Sequence, residues 1–421
     1  MLALFAPFAL AFAQDVQVTL RVDFGALQRA PIEKQVSLPR GSNVVDATRK
    51  VAEVEQDWLC CSKDDVWAID GVAPDTRLDR YWMWKLDGRM GPNFPVKHVL
   101  SEGERIEWVY SGENQPVKLE ARAVSLLPAA TEIAVAIGAE RALVGVSHLC
   151  RVPPGLDVPR VMSTTVDSDA WSMGRIDTFL REAVARGESL YQLDEERIRS
   201  LAPTVILSQG LCPVCAVTPG DVEKSLGKKT CAELLVLSPR SLADVAQNIR
   251  DVGKRLGRES AATIAAREFE RRLEKLRALP APSPKPRVLV LEWFEPLWVS
   301  GEWVAEQVEV AGGVPLLAGA KDPSRRVEWK DVVAADPDVI VLAACSMSVA
   351  RAQRELGALA SQAAWKELRA VRAGSVFVMD GERHFSTPGP GLATGAELLH
   401  SLLRAPDRAT PPDPAAWSRV R

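Results

Sequence analysis

Two kinds of apolar pattern divide the chain. Between residues 15 and 112 hydrophobic and polar positions alternate, with Val16, Val18, Leu20 and Val22 separated by other residues, which predicts a half-buried antiparallel sheet. One stretch there, 43–54, has helical spacing, and Gly41-Ser42 and Asp87-Gly88 supply turns. From 123 to 403 the pattern changes to short continuous apolar runs at 124–127, 204–207, 287–291, 339–342 and 376–379, alternating with helical segments. A parallel sheet covered on both faces requires that arrangement. The run at 124–127 breaks at Pro128; Thr131 follows as a helix-capping candidate, with Glu132 in the first turn and apolar residues at helical spacing up to Gly138. A second strand at 143–146 then stops at Ser147, His148 and Cys150. The result is a βαβ unit with a polar edge, and the carboxyl ends of such strands are where open α/β sheets bind ligands.

Ser241 with Asp244 starts a further helix, whose stripe is Leu242, Val245, Ile249, Val252 and Leu256, and the helical pattern continues to the Pro-rich stretch 280–286. The predicted architecture is α/β: two doubly wound lobes, 122–238 and 286–405, joined by one long helix at 241–279 and preceded by a small α+β domain at 15–112.

Composition narrows the function. Residues 2–13 are apolar and end in Ala11-Phe12-Ala13 before Gln14, so residues 1–13 read as a signal peptide too short to span a bilayer. The residue directly after that point is Gln14 and not a cysteine, and no lipid anchor is expected there. The 52 basic residues nearly balance 55 acidic ones, which disfavours a nucleic-acid partner. Seven cysteines in an oxidising compartment allow up to three disulfides. Absence of a Ser-His-Asp order, a phosphate-cradling loop and a zinc-binding helix motif argues against an enzyme.

The segments 124–150 and 203–217 resemble the cobalamin-binding members of the periplasmic binding protein family, which serve ABC importers for vitamin B12 and iron-siderophores. The resemblance implies a class III fold, a periplasmic monomer, cobalamin or a related corrinoid as the transported ligand, and an inner-membrane permease as partner. Residues 81–89 (YWMWKLDGR), Gly103-Glu104 and the strand 106–110 resemble the carboxyl-terminal domain of transcobalamin and intrinsic factor. Trp82 and Trp84 either form that domain's own core or present one ring to the ligand.

A corrin requires a wide, mostly apolar cleft with a few donors and acceptors. Trp293, Phe294, Trp298 and Trp303 stand on and just after one strand's carboxyl end, more aromatic surface than that end buries alone. By the resemblance Trp298, before Ser300-Gly301, faces the ligand; Trp293 is a second candidate, and Trp303 either faces it or packs under the loop. On the first lobe Gln209, His148 and Leu149 occupy the matching strand ends, and Gln209 and Leu149 stand where relatives carry aromatics. His148 could hydrogen-bond a corrin amide, coordinate cobalt, or be satisfied by a loop backbone. In the loop 380–392 Phe385 is expected as a cleft wall and His384 as a polar contact, with Pro388-Gly389-Pro390 as a rigid turn into a helix near Ala393. Docking to a permease implies one acid per lobe: Glu196 on the first, and Glu328 or Asp331 on the second, where the matching position itself is Lys330. Two readings compete. A ferric-siderophore or haem carrier would use Arg325, Arg326 and Arg383; a thiol-disulfide enzyme would use Cys212 and Cys215, a pair otherwise read as a structural disulfide or part of a cleft-edge loop.

Overall fold

The computed structural model describes residues 15–27, 29–56, 66–75, 80–111, 121–211, 217–227, 232–404, 410–413 and 415–420. The expected signal peptide and Cys60, Cys61, Cys212, Cys215 and Cys231 lie outside the described residues. The chain divides into two compact units, Met1–Val117 and Lys118–Arg421.

In the first unit the alternating residues form β1 (Val16–Asp23), β2 (Ile32–Leu38), β3 (Val54–Gln56), β4 (Val66–Ile69), β5 (Tyr81–Leu86), β6 (Arg89–Met90) and β7 (Arg105–Ser111). The main sheet runs β2-β1-β7-β5-β6, and β3 pairs with β4. It is mixed rather than purely antiparallel, because β1 and β7 are parallel. The helical stretch shortens to α1 (Val44–Arg49), capped at Asn43, whose side chain accepts from the Asp46 N–H. Asp70 accepts from the Glu53 N–H at 2.7 Å and draws the chain out into β3. Trp84 is buried, and the Trp82 indole donates to the Val72 carbonyl while its ring meets Phe24 edge-on. Trp84 is therefore a core residue of its own unit and Trp82 packs against that core, both with their N–H groups satisfied inside it.

The second unit holds two sheets. The first lobe contains β8 (Ala123–Ser125), β9 (Leu143–Ser147), β10 (Arg160–Thr164), β11 (Tyr191–Leu193), β12 (Val205–Gln209) and β13 (Glu233–Leu237) in the order β11-β10-β9-β8-β12-β13. All pairs are parallel except β10 with β11. The strand order reverses beside β8, and a ligand crevice opens at such a switch point. The second lobe contains β14 (Arg287–Phe294), β15 (Leu297–Val299), β16 (Val314–Pro315), β17 (Arg325–Arg326), β18 (Val339–Leu342), β19 (Val376–Met379) and β20 (Trp417–Arg419). Here β14, β18 and β19 form the parallel centre, β16 adds to β14, and β15, β17 and β20 are antiparallel additions. This is the expected pair of α/β lobes.

Helix α2 (Pro128–Ala136) follows β8 and starts earlier than the sequence suggested. Proline in its first turn lacks the N–H that a cap would satisfy. Thr131 is thus no cap; inside the helix, its hydroxyl bonds Ser125 at 2.8 Å. Helices α3 (Met173–Ala185), α4 (Glu195–Ser200) and α5 (Pro219–Leu226) complete the first lobe's chain.

The single helix expected over 241–279 is two: α6 (Leu242–Arg255) and α7 (Glu259–Ala278). Gly257, at φ +69°, takes the left-handed conformation that ends α6. Arg258, buried at the turn, donates to the Ile137 carbonyl at the end of α2. The two helices fold back on each other, with Arg250 bonded to Glu270. The 20-residue α7 is the long helix that leads into the second lobe. Where the helices meet, a Cβ on Gly253 would lie 2.0 Å from that of Ala262. Gly253→Val should therefore destabilise the protein by about 1–3 kcal/mol, the scale of overpacking a core. The midpoint of urea unfolding followed by circular dichroism checks this, and an unmoved midpoint would mean that the hairpin can spread freely.

Candidate functional site

Residues from distant parts of the sequence meet at the carboxyl edge of the second sheet. Strands β14, β15 and β17 form an antiparallel ribbon in which Trp293 pairs with Trp298, and Trp298 with Arg326. Directly paired residues share one face, so the three side chains form a row. Trp293 and Trp298 are half-buried, and Arg326 is exposed beside Glu328 at 4.0 Å. The row is a broad aromatic surface with one cation at its rim, and the Trp293 indole donates to the Glu295 carbonyl at 3.1 Å.

Helix α8 (Glu302–Val310) supports the neighbouring loop. Trp303 donates its indole N–H to the Phe385 carbonyl at 2.7 Å, and Gln307 donates to the carbonyls of His384 and Leu392. Trp303 thus packs under the loop. Phe385 is not the expected cleft wall. At 1% exposure it sits in the core with Val304, Leu399 and Leu402, because the turn Glu382–Ser386 is helical and points it inward. His384 is half-buried on the same turn, and burial pulls its pKa down.

On the first lobe His148 and Leu149 follow β9, and Gln209 closes β12. All three are half-buried. Arg160 ties the loop by donating to the carbonyls of Ser147 and Cys150. Burial first, and then the Arg160 charge, pull the His148 pKa down, and its Nδ1 has no hydrogen-bond partner among the described residues. The ring lies 6.1 Å from that of Tyr191.

The docking candidates differ from one another. Glu196 is exposed in the first turn of α4, which Asp194 caps by accepting from the Arg197 N–H. Glu328 and Asp331 instead form a reciprocal capping box on α9 (Trp329–Ala335), so both acids already serve that helix.

Sequence reasoning overlooked the contact between lobes. Glu132 of α2 reaches across to the second lobe's Gly389–Gly391 turn, where a Cβ on Gly389 would lie 2.5 Å from Oε2. Its carboxylate accepts from the Gly391 N–H, while Oε2 has no partner among the described residues. Arg151 of the first lobe pairs with Glu382 of the second beside it. Burial pushes the Glu132 carboxyl up to about 7, against the opposing pull of the Gly391 N–H and Arg151. Only the glycine spacing before the last helix could have signalled this contact.

The sign of its effect follows from linkage. Below the ordinary 4.5 the carboxyl holds its proton in both folded and unfolded chains; between 4.5 and about 7 only the folded chain keeps it. Stability is thus fully present below 4.5 and falls as pH rises through about 7. Glu132→Gln should remove a fall of about 3 kcal/mol across that window. Urea unfolding of both proteins at a series of pH values measures it, and parallel profiles would exclude Glu132 as the titrating group.

Among the described residues no helix is long and apolar enough to cross a membrane, and no group of three or more His, Cys, Asp or Glu side chains is placed to hold a metal ion. A vitamin B12-binding protein of Vibrio cholerae is 25% identical over 289 residues, 67% of this chain and 89% of that protein. One from Vibrio parahaemolyticus is 26% identical over 260 residues, 60% of this chain and 82% of its own. Among solved structures, an ABC transporter substrate-binding protein from Listeria monocytogenes superposes with a TM-score of 0.52 at 21% identity, covering 68% of this chain and 98% of that one. A periplasmic haem-binding protein from Pseudomonas aeruginosa gives 0.50 at 21%, covering 71% and 97%. The fold is that of class III periplasmic binding proteins. The model of the periplasmic binding protein family matches residues 124–382, more than half of the chain, and the chain belongs to that family.

Proposed function

We propose that the protein binds cobalamin or a related corrinoid outside the cytoplasm and delivers it to an ABC importer, catalysing no reaction itself. The observation that carries this reading is the likeness to proteins named for vitamin B12 binding, which extends over 89% of the Vibrio cholerae relative's length. The row of Trp293, Trp298 and Arg326 supports it, since a large macrocycle with apolar faces and amide edges needs aromatic area and few charges. A signal peptide at 1–13 would take the chain to the periplasm. The first unit, with Trp82 and Trp84 internal, would join the assembly through its outer surface rather than through those rings.

A haem or ferric-siderophore carrier of the same fold is the second reading, favoured by solved neighbours that include haem-binding proteins. Such anionic ligands call for uncommitted cations. Three of the nearby arginines have an acid beside them, Arg151 with Glu382, Arg326 with Glu328 and Arg383 with Asp380, while Arg325 donates to the Leu317 carbonyl instead. That local balance suits the neutral amides of a corrin better than free carboxylates.

Titrating the protein lacking residues 1–13 with cobalamin, and separately with haem, should give a one-site change in the visible spectrum with cobalamin only. Trp298→Ala should weaken that binding by about 1–3 kcal/mol, the scale of one buried aromatic contact. Saturation by haem alone would establish the second reading instead, and equal calorimetric affinity would remove Trp298 from the site.

Docking gives a separate test. Glu196 is exposed, pairs with no cation among the described residues, and would meet arginines of a permease through charge complementarity. Glu196→Arg should leave ligand affinity unchanged and lower uptake through the cognate permease severalfold. Normal uptake would place the docking surface elsewhere.

A further inference from the structure

After β10 the chain leaves the first lobe. Val166, Trp171, Met173, Ile176 and Leu180 pack into the core of the second lobe, against a cluster containing Phe294, Leu297 and Met347, before β11 returns to pair with β10. Met173 is fully buried there, and its sulfur accepts from the Phe294 N–H at 3.4 Å. Gly174 lies against Glu295, at the tip of the ribbon that carries Trp293 and Trp298; a Cβ there would be 3.1 Å from the Glu295 carboxyl carbon.

The second lobe has a built seat for this excursion. Arg351, on α10 (Val349–Gln353), and Glu355 one turn later form an ion pair with side chains only 7% and 10% exposed. A buried pair offsets its desolvation only when its remaining donors and acceptors are also satisfied. Here they are satisfied by the crossing backbone. Arg351 Nε donates to the Ser168 carbonyl at 2.8 Å and Nη2 to the Trp171 carbonyl at 2.6 Å, while Glu355 Oε2 accepts from the Met173 N–H at 3.1 Å. The fixed fork of the guanidinium spans both carbonyls at once, which a lysine cannot do.

We propose that residues 166–180 are a wall of the ligand cleft, contributed by the first lobe and seated on the second, and that Arg351 and Glu355 are positioning residues whose grip on it sets how fast a ligand enters and leaves. The ligand class is that proposed above, and the inference rests on that reading for its kinetic part. When the wall lifts, water replaces its carbonyls around the ion pair, so release exposes the pair rather than stranding it unpaired.

The test uses the full chain, with Arg351→Ala and the gentler Glu355→Gln, which keeps the side-chain shape should the first variant fail to fold. Amide hydrogen exchange without ligand should speed up at least tenfold within 166–180 and stay unchanged in α6 and α7. Stopped-flow mixing with cobalamin should show association and dissociation both accelerating at least threefold, so that Kd moves less than either rate. Unchanged exchange in both variants would overturn the seat, and faster exchange with unaltered ligand rates would overturn the role in access. A fall in affinity caused by dissociation alone would mean a direct contact and also overturn it. If the parent protein bound no corrinoid at all, the assigned ligand would be wrong, and the seat would stand or fall on the exchange measurement.

Discussion

Ala262, Ala266, Phe269 and Leu273 give α7 an apolar side that packs against the first lobe's core, and Leu392, Ala393 and Ala396 of the last helix, Gly391–Arg404, enter the same cluster. Arg272 fastens that contact from outside by gripping Glu397 and the Thr394 hydroxyl. The helix that joins the lobes is therefore part of a core shared by both. Swinging the lobes far apart would open this seam, and apolar area returned to water costs roughly 25 cal/mol per Å². Small relative motions are compatible with it and large ones are not.

With that seam in place, the contacts between the lobes beyond it are made by loops. The second lobe's turn 382–391 is braced from below by Trp303 and Gln307 and touched from across by Glu132 and Arg151. Glycine is needed at Gly389 and Gly391 because the Glu132 carboxyl and the Arg383 carbonyl occupy the space a Cβ would take. A stiff pair of lobes with a tightly fitted inner edge leaves the aromatic ribbon and the excursion 166–180 as the surfaces on the other side.

The parts legible in the sequence were those governed by local pattern. Strands β18 and β19 are uninterrupted apolar runs, and the structure places them at 339–342 and 376–379 as expected. The Ser241 cap holds for the same reason, its partner being three residues away. The break between α6 and α7 was missed because Gly257 sits amid charged residues that continue the helical pattern on both sides. Phe385 misled because its neighbours are polar and only the helical turn reveals its inward direction. Glu132 and Arg351 could not be found at all. Each acquires its meaning from a backbone far along the chain, and no spacing rule reaches that distance.

The pairing of Arg151, Arg326 and Arg383 with acids has a consequence for the first encounter. Charges that cancel within a few ångströms, as in these three pairs, project little field beyond the Debye length, about 8 Å at physiological ionic strength. An arriving molecule is then neither drawn in nor repelled from afar, and capture depends on collision frequency and shape. A protein built this way would collect its cargo about equally well in dilute fresh water and in brine.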